Sequence, residues 1–273
     1  MLDDRSTDNS WDILQAYKGH EKVSHCLRND RNSGSPFIQW KKGIELAKGE
    51  WIWIAESDDW CEKELLSSLI TYSNTKIESG IVYAQSIDVN EEGVLISSRL
   101  EWTDEFKPNI WKNDWSLDGQ LFMNSYLNKK NVIPNASAVI FKKSLTEGLD
   151  WDLIVQMKMC GDWLFWSIIS ANTDVSFLSK ELNYFRNHHG VSRNHVSLDK
   201  KRARLLEEWR LRLYLKKKFN SPIVKAYKLQ KAWFDSGFKV LDIVKSEFYG
   251  LNVHSSKLEL ALRFIKYKWL AQK

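Results

Sequence analysis

The chain has 273 residues, enough for one large domain or for a domain with an appendage, and its composition is that of a folded protein enriched in Trp, of which there are 14. Its three cysteines, Cys26, Cys61 and Cys160, are scattered, odd in number and without metal-ligand spacing, which argues against a disulfide framework and for a reducing compartment. The net charge of +5 is uneven: residues 195–273 hold 19 Lys/Arg against 7 Asp/Glu, a balance of +12, and residues 1–194 carry −7.

The opening residues, Asp3-Asp4-Arg5-Ser6-Thr7-Asp8, do not read as a signal peptide, and no apolar run approaches the ~20 residues that span a bilayer. These features predict a cytosolic protein. Trp11, Leu14 and Tyr17 mark a first helix, with Ser6 or Asp8 as its cap. An acidic loop of this kind normally leaves a strand, so the reading expects a shortened start. Val23–Leu27 is a weak strand, followed by a polar loop over 28–34. Trp40, Ile44 and Ala47 give a helix that Gly49 stops. Trp51 to Ala55 is a continuous apolar run, predicted to be a strand buried on both faces, as in a mostly parallel sheet. Three carboxylates follow it, Glu56, Asp58 and Asp59.

Asp59 and Glu62 have capping-box spacing for a helix carrying Leu65, Leu66, Leu69 and Ile70. Ile81–Ala84 is a second buried strand, and 87–96 a hairpin with Asn90–Gly93 at its tip. Residues 99–120 are aromatic and irregular. A helix over 121–127 and a strand over 138–141 come next. Gly161-Asp162-Trp163 then opens a helix, and short strands at 175–178 and 182–185 lead into Arg186-Asn187-His188-His189. This alternation predicts an α/β domain over 1–195. From 196 the pattern is wholly helical. Leu205, Trp209 and Leu213 lie on one helix, and Tyr227, Phe234, Phe238 and Leu241 on a second that starts at Ser221-Pro222. Leu258, Leu262, Ile265 and Trp269 lie on a third that starts at Ser256.

Three constellations carry candidate chemistry. Asp58-Asp59 after a buried strand suits a hard divalent cation with a diphosphate, although Asp59 also suits a plain helix cap. Asp162, flanked by Gly161 and Trp163, is either a desolvated base or another cap. Arg186 and His188 are either phosphate and metal partners or surface residues.

Taken in order, these motifs resemble family-2 glycosyltransferases of the GT-A fold. The family's Asp-Asp-Gly-Ser-x-Asp loop corresponds to Asp3–Asp8, and its Asn-x-Gly segment to Asn32-Ser33-Gly34. Its Ala-x-Gly-Glu helix end corresponds to Ala47-Lys48-Gly49-Glu50, and its Asp-x-Asp-Asp motif to Glu56-Ser57-Asp58-Asp59. A later Gly-Asp-Trp corresponds to 161–163 and Tyr-Arg-x-His to the stretch around Arg186 and His188. The match spans roughly 2–193. Glu56 stands where the pattern has Asp, and the family's first strand–helix–strand unit has no counterpart.

The resemblance implies a GT-A-like mixed, mostly parallel sheet flanked by helices, with an all-helical C-terminal extension. It implies that Asp59, Asp58 and His188 bind Mn²⁺ or Mg²⁺. Asp3, Asp4, Asp58 and Arg186 would contact a nucleotide-sugar donor, a UDP-sugar first. Asp162 would be the base of an inverting transfer to a glycan or lipid-linked acceptor in cell-envelope polysaccharide synthesis. A donor-binding scaffold without activity and a metal-dependent phosphate hydrolase are the alternatives. The basic helices over 196–273 are a solvated cap, a peripheral contact with the inner face of the membrane or, third, a nucleic-acid surface.

Overall fold

The computed structural model describes residues 1–76, 78–187, 197–254 and 256–271. They fall into two compact units, one made of 1–120 with 133–187, the other of 121–132 with the described residues after 187.

In the first unit, β1 (Leu2–Asp3) pairs in parallel with β2 (Leu27–Arg28) as a separate two-stranded sheet. Between them runs α1 (Ser10–Ala16), which buries none of its side chains fully; its N-cap is Asn9, with Asp8 accepting from the Ser10 amide. Next comes α2 (Pro36–Leu46), with proline in its first turn and Phe37, Trp40 and Ile44 buried on one face. The helix stops at Ala47, which is extended, two residues before Gly49.

The following strand differs from its sequence reading. β3 covers only Trp51–Trp53, and Ile52 alone is buried, because β3 is a terminal strand of the main sheet and pairs on one side only. After the acidic turn come β4 (Trp60–Cys61) and α3 (Leu65–Thr75). Then β5 (Ser79–Val89) turns at Asn90–Gly93 into β6 (Leu95–Ser98). The turn is closed by the Asn90 side chain, which accepts from the Val94 amide, and by Gly93 at φ +86°. Later elements are β7 (Trp115–Leu117), α4 (Gly119–Phe122), β8 (Val139–Lys142), α5 (Trp151–Gln156), α6 (Gly161–Ser170) and β9 (Asp174–Arg186). β9 is one long strand where the sequence reads as two short ones.

The main sheet has seven strands in the order β3-β8-β5-β9-β4, with β6 added on β5 and β7 on β9. It is mixed, as expected, but β5–β9 is its parallel seam and the other neighbours run antiparallel. The tight 90–93 turn forces one of those antiparallel pairs, since a parallel partner needs a crossover of a dozen or more residues. Alternate side chains of β5 serve opposite layers. Val82 and Ala84 join Leu65 and Leu69 of α3, Ile140 and Leu182 in one cluster. On the other face Tyr83 packs on Phe177 and its hydroxyl accepts from the Trp111 indole at 2.7 Å. Phe141, Phe165, Trp166 and Trp40 form an aromatic layer with centroids 4.9–5.9 Å apart, so several tryptophans serve as core.

Gly119 is held by sterics. A Cβ there would stand 1.8 Å from the Ser170 carbonyl oxygen and 1.9 Å from that of Thr173. Gly119→Ala is therefore expected to cost about 3 kcal/mol, read as a lowered denaturant midpoint at unchanged slope.

The second unit is helical. α7 (Leu198–Phe219) starts at Ser197, whose hydroxyl caps the Lys200 amide, and ends at Asn220 in the left-handed region. Then come α8 (Ala226–Phe234), two 3₁₀ turns at Val240–Val244 and Ser246–Gly250, and α9 (Lys257–Leu270). Leu205, Trp209, Trp233, Phe234, Phe238, Phe248, Leu260 and Phe264 make its core. Segment 121–132 joins it through the Asn128 amide on the Pro222 carbonyl (2.7 Å) and Ser221 on Asn124 (2.6 Å).

Two expectations fail here. The second helix starts at Ala226 rather than Ser221, and Tyr227 and Leu241 are exposed while Phe234 and Phe238 are buried. In α9 the buried residues are Leu260, Ala261 and Phe264, on the face opposite the stripe read from the sequence. Among the described residues, no helix is long and apolar enough to cross a membrane.

Candidate active site

Two clusters of polar side chains hold most of the residues singled out by the sequence. The first is built around Asp3 and Asp4 at the end of β1. Asp3 is buried and committed inward: Oδ1 accepts from the Ser6 amide at 3.0 Å and from the Ser6 hydroxyl, and Oδ2 meets Arg28 Nε at 2.8 Å. Arg28 also donates to the Ser6 carbonyl at 2.7 Å, so the 3–8 loop is fixed from both ends. Asp4 accepts from Asn29 Nδ2 (2.7 Å), the Ser33 hydroxyl (2.6 Å) and amide, and Gln39 Nε2 (2.8 Å). Burial opposes its charge, but the hydrogen bonds from Ser33, Asn29 and Gln39 together prevail and hold its carboxyl below the ordinary value. That contribution to stability is complete above the unfolded carboxylate value of about 3.9 and is lost as the pH falls through the lower folded value.

Arg5, in the same loop, stands where the family pattern has glycine, and its φ is +65°. A side chain in this region costs about 1–2 kcal/mol, part of which glycine gives back as chain entropy. Arg5→Gly should therefore stabilise the protein by about 1 kcal/mol or less, a rise of about 2–4 °C in Tm at most.

The second cluster follows β3. Ligand atoms of Glu56, Asp58 and Asp59 all lie within 4.8 Å of one another. The turn that presents them is pinned from below: the Ser137 hydroxyl accepts from the Glu56 amide (3.0 Å), and the Ser137 carbonyl accepts from the Trp53 indole (2.8 Å). Ser137 is itself set by Asn135, whose side chain accepts from its amide and donates to Asn183 Oδ1 at 2.6 Å. Asn183 reaches the Trp60 carbonyl and accepts from Ser86. The sequence reading missed Asn135, Ser137 and Asn183. The one local signal is the Asn-Ala-Ser order at 135–137, a side-chain cap ahead of a short 3₁₀ turn.

Asp59 does not cap the following helix. The short strand β4 intervenes, α3 begins after Glu64, and Asp59 Oδ1 instead accepts from the Arg186 amide at 3.1 Å. Its Oδ2 is buried with no hydrogen-bond donor. Burial pushes the Asp59 carboxyl up, and the charge of Asp58 adds to this, against the hydrogen bonding offered by Ser137, the Arg186 amide and Asn135.

Beside it, Trp60 stacks on Tyr184 at 5.4 Å, and the Arg186 guanidinium lies 4.8 Å over Trp60 while donating to the Glu91 carbonyl. Arg186 Nε is buried without an acceptor. Three clustered carboxylates with an orphaned buried oxygen are the hard, all-oxygen donor set that Mg²⁺ and Mn²⁺ prefer, so the residues fit such an ion.

Asp162 is half-buried in the first turn of α6, two residues past its N-cap Cys160. The preceding Gly161 lies flat against Phe37: a Cβ there would come within 2.3 Å of the ring. That contact sets the start of α6 on the start of α2, the helix whose leading loop carries Ser33 and so holds Asp4. His188 lies outside the described residues.

Comparison with known proteins agrees with this architecture. The profile described as Glycosyl transferase family 2 matches residues 1–148. The poly(ribitol-phosphate) beta-glucosyltransferase of Bacillus spizizenii is 29% identical over 161 residues, 50% of this chain and 25% of that one. The abequosyltransferase RfbV of Salmonella typhimurium is 24% identical over 159 residues, 56% of this chain and 45% of that one. The chain thus spans less than half the length of these relatives. Among solved structures, S. aureus TarS 1–349 in complex with UDP-GlcNAc superposes with a TM-score of 0.53 at 20% identity, over 86% of this chain and 70% of that one. The same protein without ligand gives 0.52 at 17% identity, over 96% and 77%. At this identity the likeness is one of fold, a mixed sheet flanked by helices of the GT-A kind. The family profile covers more than half of the sequence and both acidic clusters, and on that ground the chain belongs to glycosyl transferase family 2.

Proposed function

We propose that this chain carries out inverting sugar transfer from a nucleotide-sugar donor, a UDP-sugar first, to a hydroxyl of a glycan or lipid-linked acceptor in cell-envelope polysaccharide synthesis. The observation that carries the reading is the triad Glu56, Asp58 and Asp59 with the orphaned Oδ2 of Asp59. The names of the relatives supply the glycan class, and the UDP-GlcNAc complex of TarS favours a UDP-sugar.

In this reading Asp59 and Asp58 hold Mn²⁺ or Mg²⁺, with His188 as a further ligand. The ion, when bound, offsets the charge of the diphosphate as it departs. Arg186, with an unused donor beside the triad, pairs with a phosphate oxygen. Asp4 sits near the nucleoside of the donor, and Asp3 fixes the loop that carries it. Asp162 accepts the proton of the acceptor hydroxyl as its oxygen attacks the anomeric carbon. The bond from that carbon to the diphosphate oxygen breaks in the same step, and its electron pair leaves with the nucleoside diphosphate. A single displacement inverts the anomeric centre, unlike the double displacement that retains it.

A thermal-shift panel of UDP, GDP and ADP, each with and without Mn²⁺, tests the donor site. One nucleotide should stabilise the chain only when metal is present, by about 2.7 kcal/mol at a hundred times its Kd. Absence of a shift with every nucleotide would overturn the reading.

A further inference from the structure

The C-terminal helix α9 has two apolar faces, one buried in its unit and the other largely exposed. Leu260, Ala261 and Phe264 are buried, and Tyr267 packs on Phe234 and donates to Asp235 at 2.6 Å. At about 100° per residue, Leu258, Leu262, Ile265 and Trp269 fall within an arc of roughly 60° on the opposite side. They are 70%, 59%, 39% and 55% exposed. Together they form an outward stripe of roughly 16 Å. The 3₁₀ turn at 240–244 packs against α9 and adds Leu241 and Val244, 82% and 85% exposed. A water-facing helix side is ordinarily polar, and contiguous apolar exposure of this kind marks a binding surface.

The charges around the stripe indicate what covers it. At the same ~100° per residue Lys266 borders it on one side. On the other, beyond buried Ala261, come Lys268, whose ammonium lies 5.3 Å over the Phe264 ring, and Lys257, 5.3 Å over Tyr249. The carboxylate on that helix, Glu259, is paired with Arg263 at 3.0 Å and approaches His254 at 3.5 Å. Asp235 is engaged by Tyr267, and Asp242 of the neighbouring turn by Lys245 at 2.7 Å. Residues 195–273 carry +12 in all. This surplus of positive charge repels a second copy of the same face, whereas it complements an anionic surface that also accepts apolar side chains. Trp269 at one end of the stripe suits the headgroup level, where tryptophan concentrates.

We propose that the outward face of α9, with the adjoining 240–244 turn, is a membrane-docking surface for anionic phospholipid. Leu258, Leu262, Ile265 and Trp269 enter the acyl boundary, while Lys257, Lys266 and Lys268 meet the headgroups. Binding does not depend on sugar transfer. Its value to the enzyme, confinement to the surface that carries lipid-linked acceptors, rests on the function proposed above.

The test is flotation of the whole chain with vesicles of phosphatidylcholine alone or mixed equally with phosphatidylglycerol, at low and high salt. Wild type should float with the anionic vesicles only, and less at high salt. The double variant L262E/I265E should lose binding at least about tenfold. K266Q/K268Q should lose roughly fivefold per lysine. Both should keep the wild-type circular dichroism and stay close to the wild-type melting temperature, since of these side chains only Lys268 touches the core, over the Phe264 ring. Asp59→Ala should float like wild type, which separates this proposal from the catalytic one. Failure of wild type to float with anionic vesicles, or flotation unchanged by L262E/I265E, would overturn the proposal. So would a dimer in light scattering that L262E/I265E dissociates while vesicle binding is absent, which would make the face a protein interface.

Discussion

Asp59→Ala is expected to remove metal-dependent stabilisation by a nucleoside diphosphate and to lower turnover about a thousandfold, the several kcal/mol that charge neutralisation at a diphosphate supplies. Two effects are mixed in that variant. Asp59 supplies negative charge to the triad, and its Oδ1 also accepts from the Arg186 amide, which joins the acidic turn to the end of β9. Loss of that hydrogen bond alone costs about 1 kcal/mol of stability. Asp59→Asn separates the two, because its amide oxygen can still accept from the Arg186 amide while the charge is gone. Asn should therefore melt above Ala and yet match it in losing the metal-dependent shift. The opposite pattern, with Asn binding nucleotide and metal like wild type, would assign Asp59 to the architecture of the β4–β9 edge. Isothermal titration with Mn²⁺ and UDP on both variants reads the difference directly.

For Asp162→Asn the expectation is a split between binding and chemistry. Donor affinity should stay within about twofold of wild type, and transfer should fall by 10²–10⁴, the range a positioned general base contributes. The split follows from its place in the first turn of α6, an element other than the turn that presents the triad. The substitution is isosteric, so packing of α6 through Gly161 and Phe37 stays intact, and equal melting temperatures check that. Loss of donor binding together with transfer would make Asp162 structural. Quenched single-turnover assays at saturating donor give the cleanest separation, since they report chemistry without product release.

What the sequence disclosed follows the range of the interactions involved. The turn of the 79–98 hairpin was legible because its chemistry is local, with Asn90 and Gly93 setting it inside four residues. So was the start of α6 at Gly161. The strand at 81–84 and the hairpin at 87–96, by contrast, read as separate elements and share one long strand, β5. The acidic triad was legible as a run of residue types, but the role of Asp59 was not. Capping-box spacing to Glu62 is a local pattern, and it yields here to a hydrogen bond from an amide 127 residues away. The supports Asn135, Ser137 and Asn183 escaped for the same reason, since each works through a partner distant in the chain. The strand after Gly49 was read as buried on both faces because its residues are apolar, yet pairing on one side alone leaves Trp51 and Trp53 half-exposed. For α9 periodicity was ambiguous in itself. The 258/262/265/269 stripe and the 260/264 stripe both satisfy a helical repeat, and only packing against Phe234 and Phe248 selects the second.

The second unit is discontinuous in sequence, and this bears on the order in which the chain can be made and folded. Residues 121–132 are synthesised ahead of the last third of the first unit, but their partners Ser221 and Pro222 emerge about ninety residues later. During that interval Phe122, Met123 and Leu127, all fully buried in the finished protein, await the rest of their unit. Such a segment is a natural chaperone client on the ribosome and a seed for association in vitro. A chain cut after residue 187 keeps every strand of the main sheet and still should be recovered mostly as aggregate. Supplying the helices of 197–271 as a separate polypeptide during refolding should return it to solution.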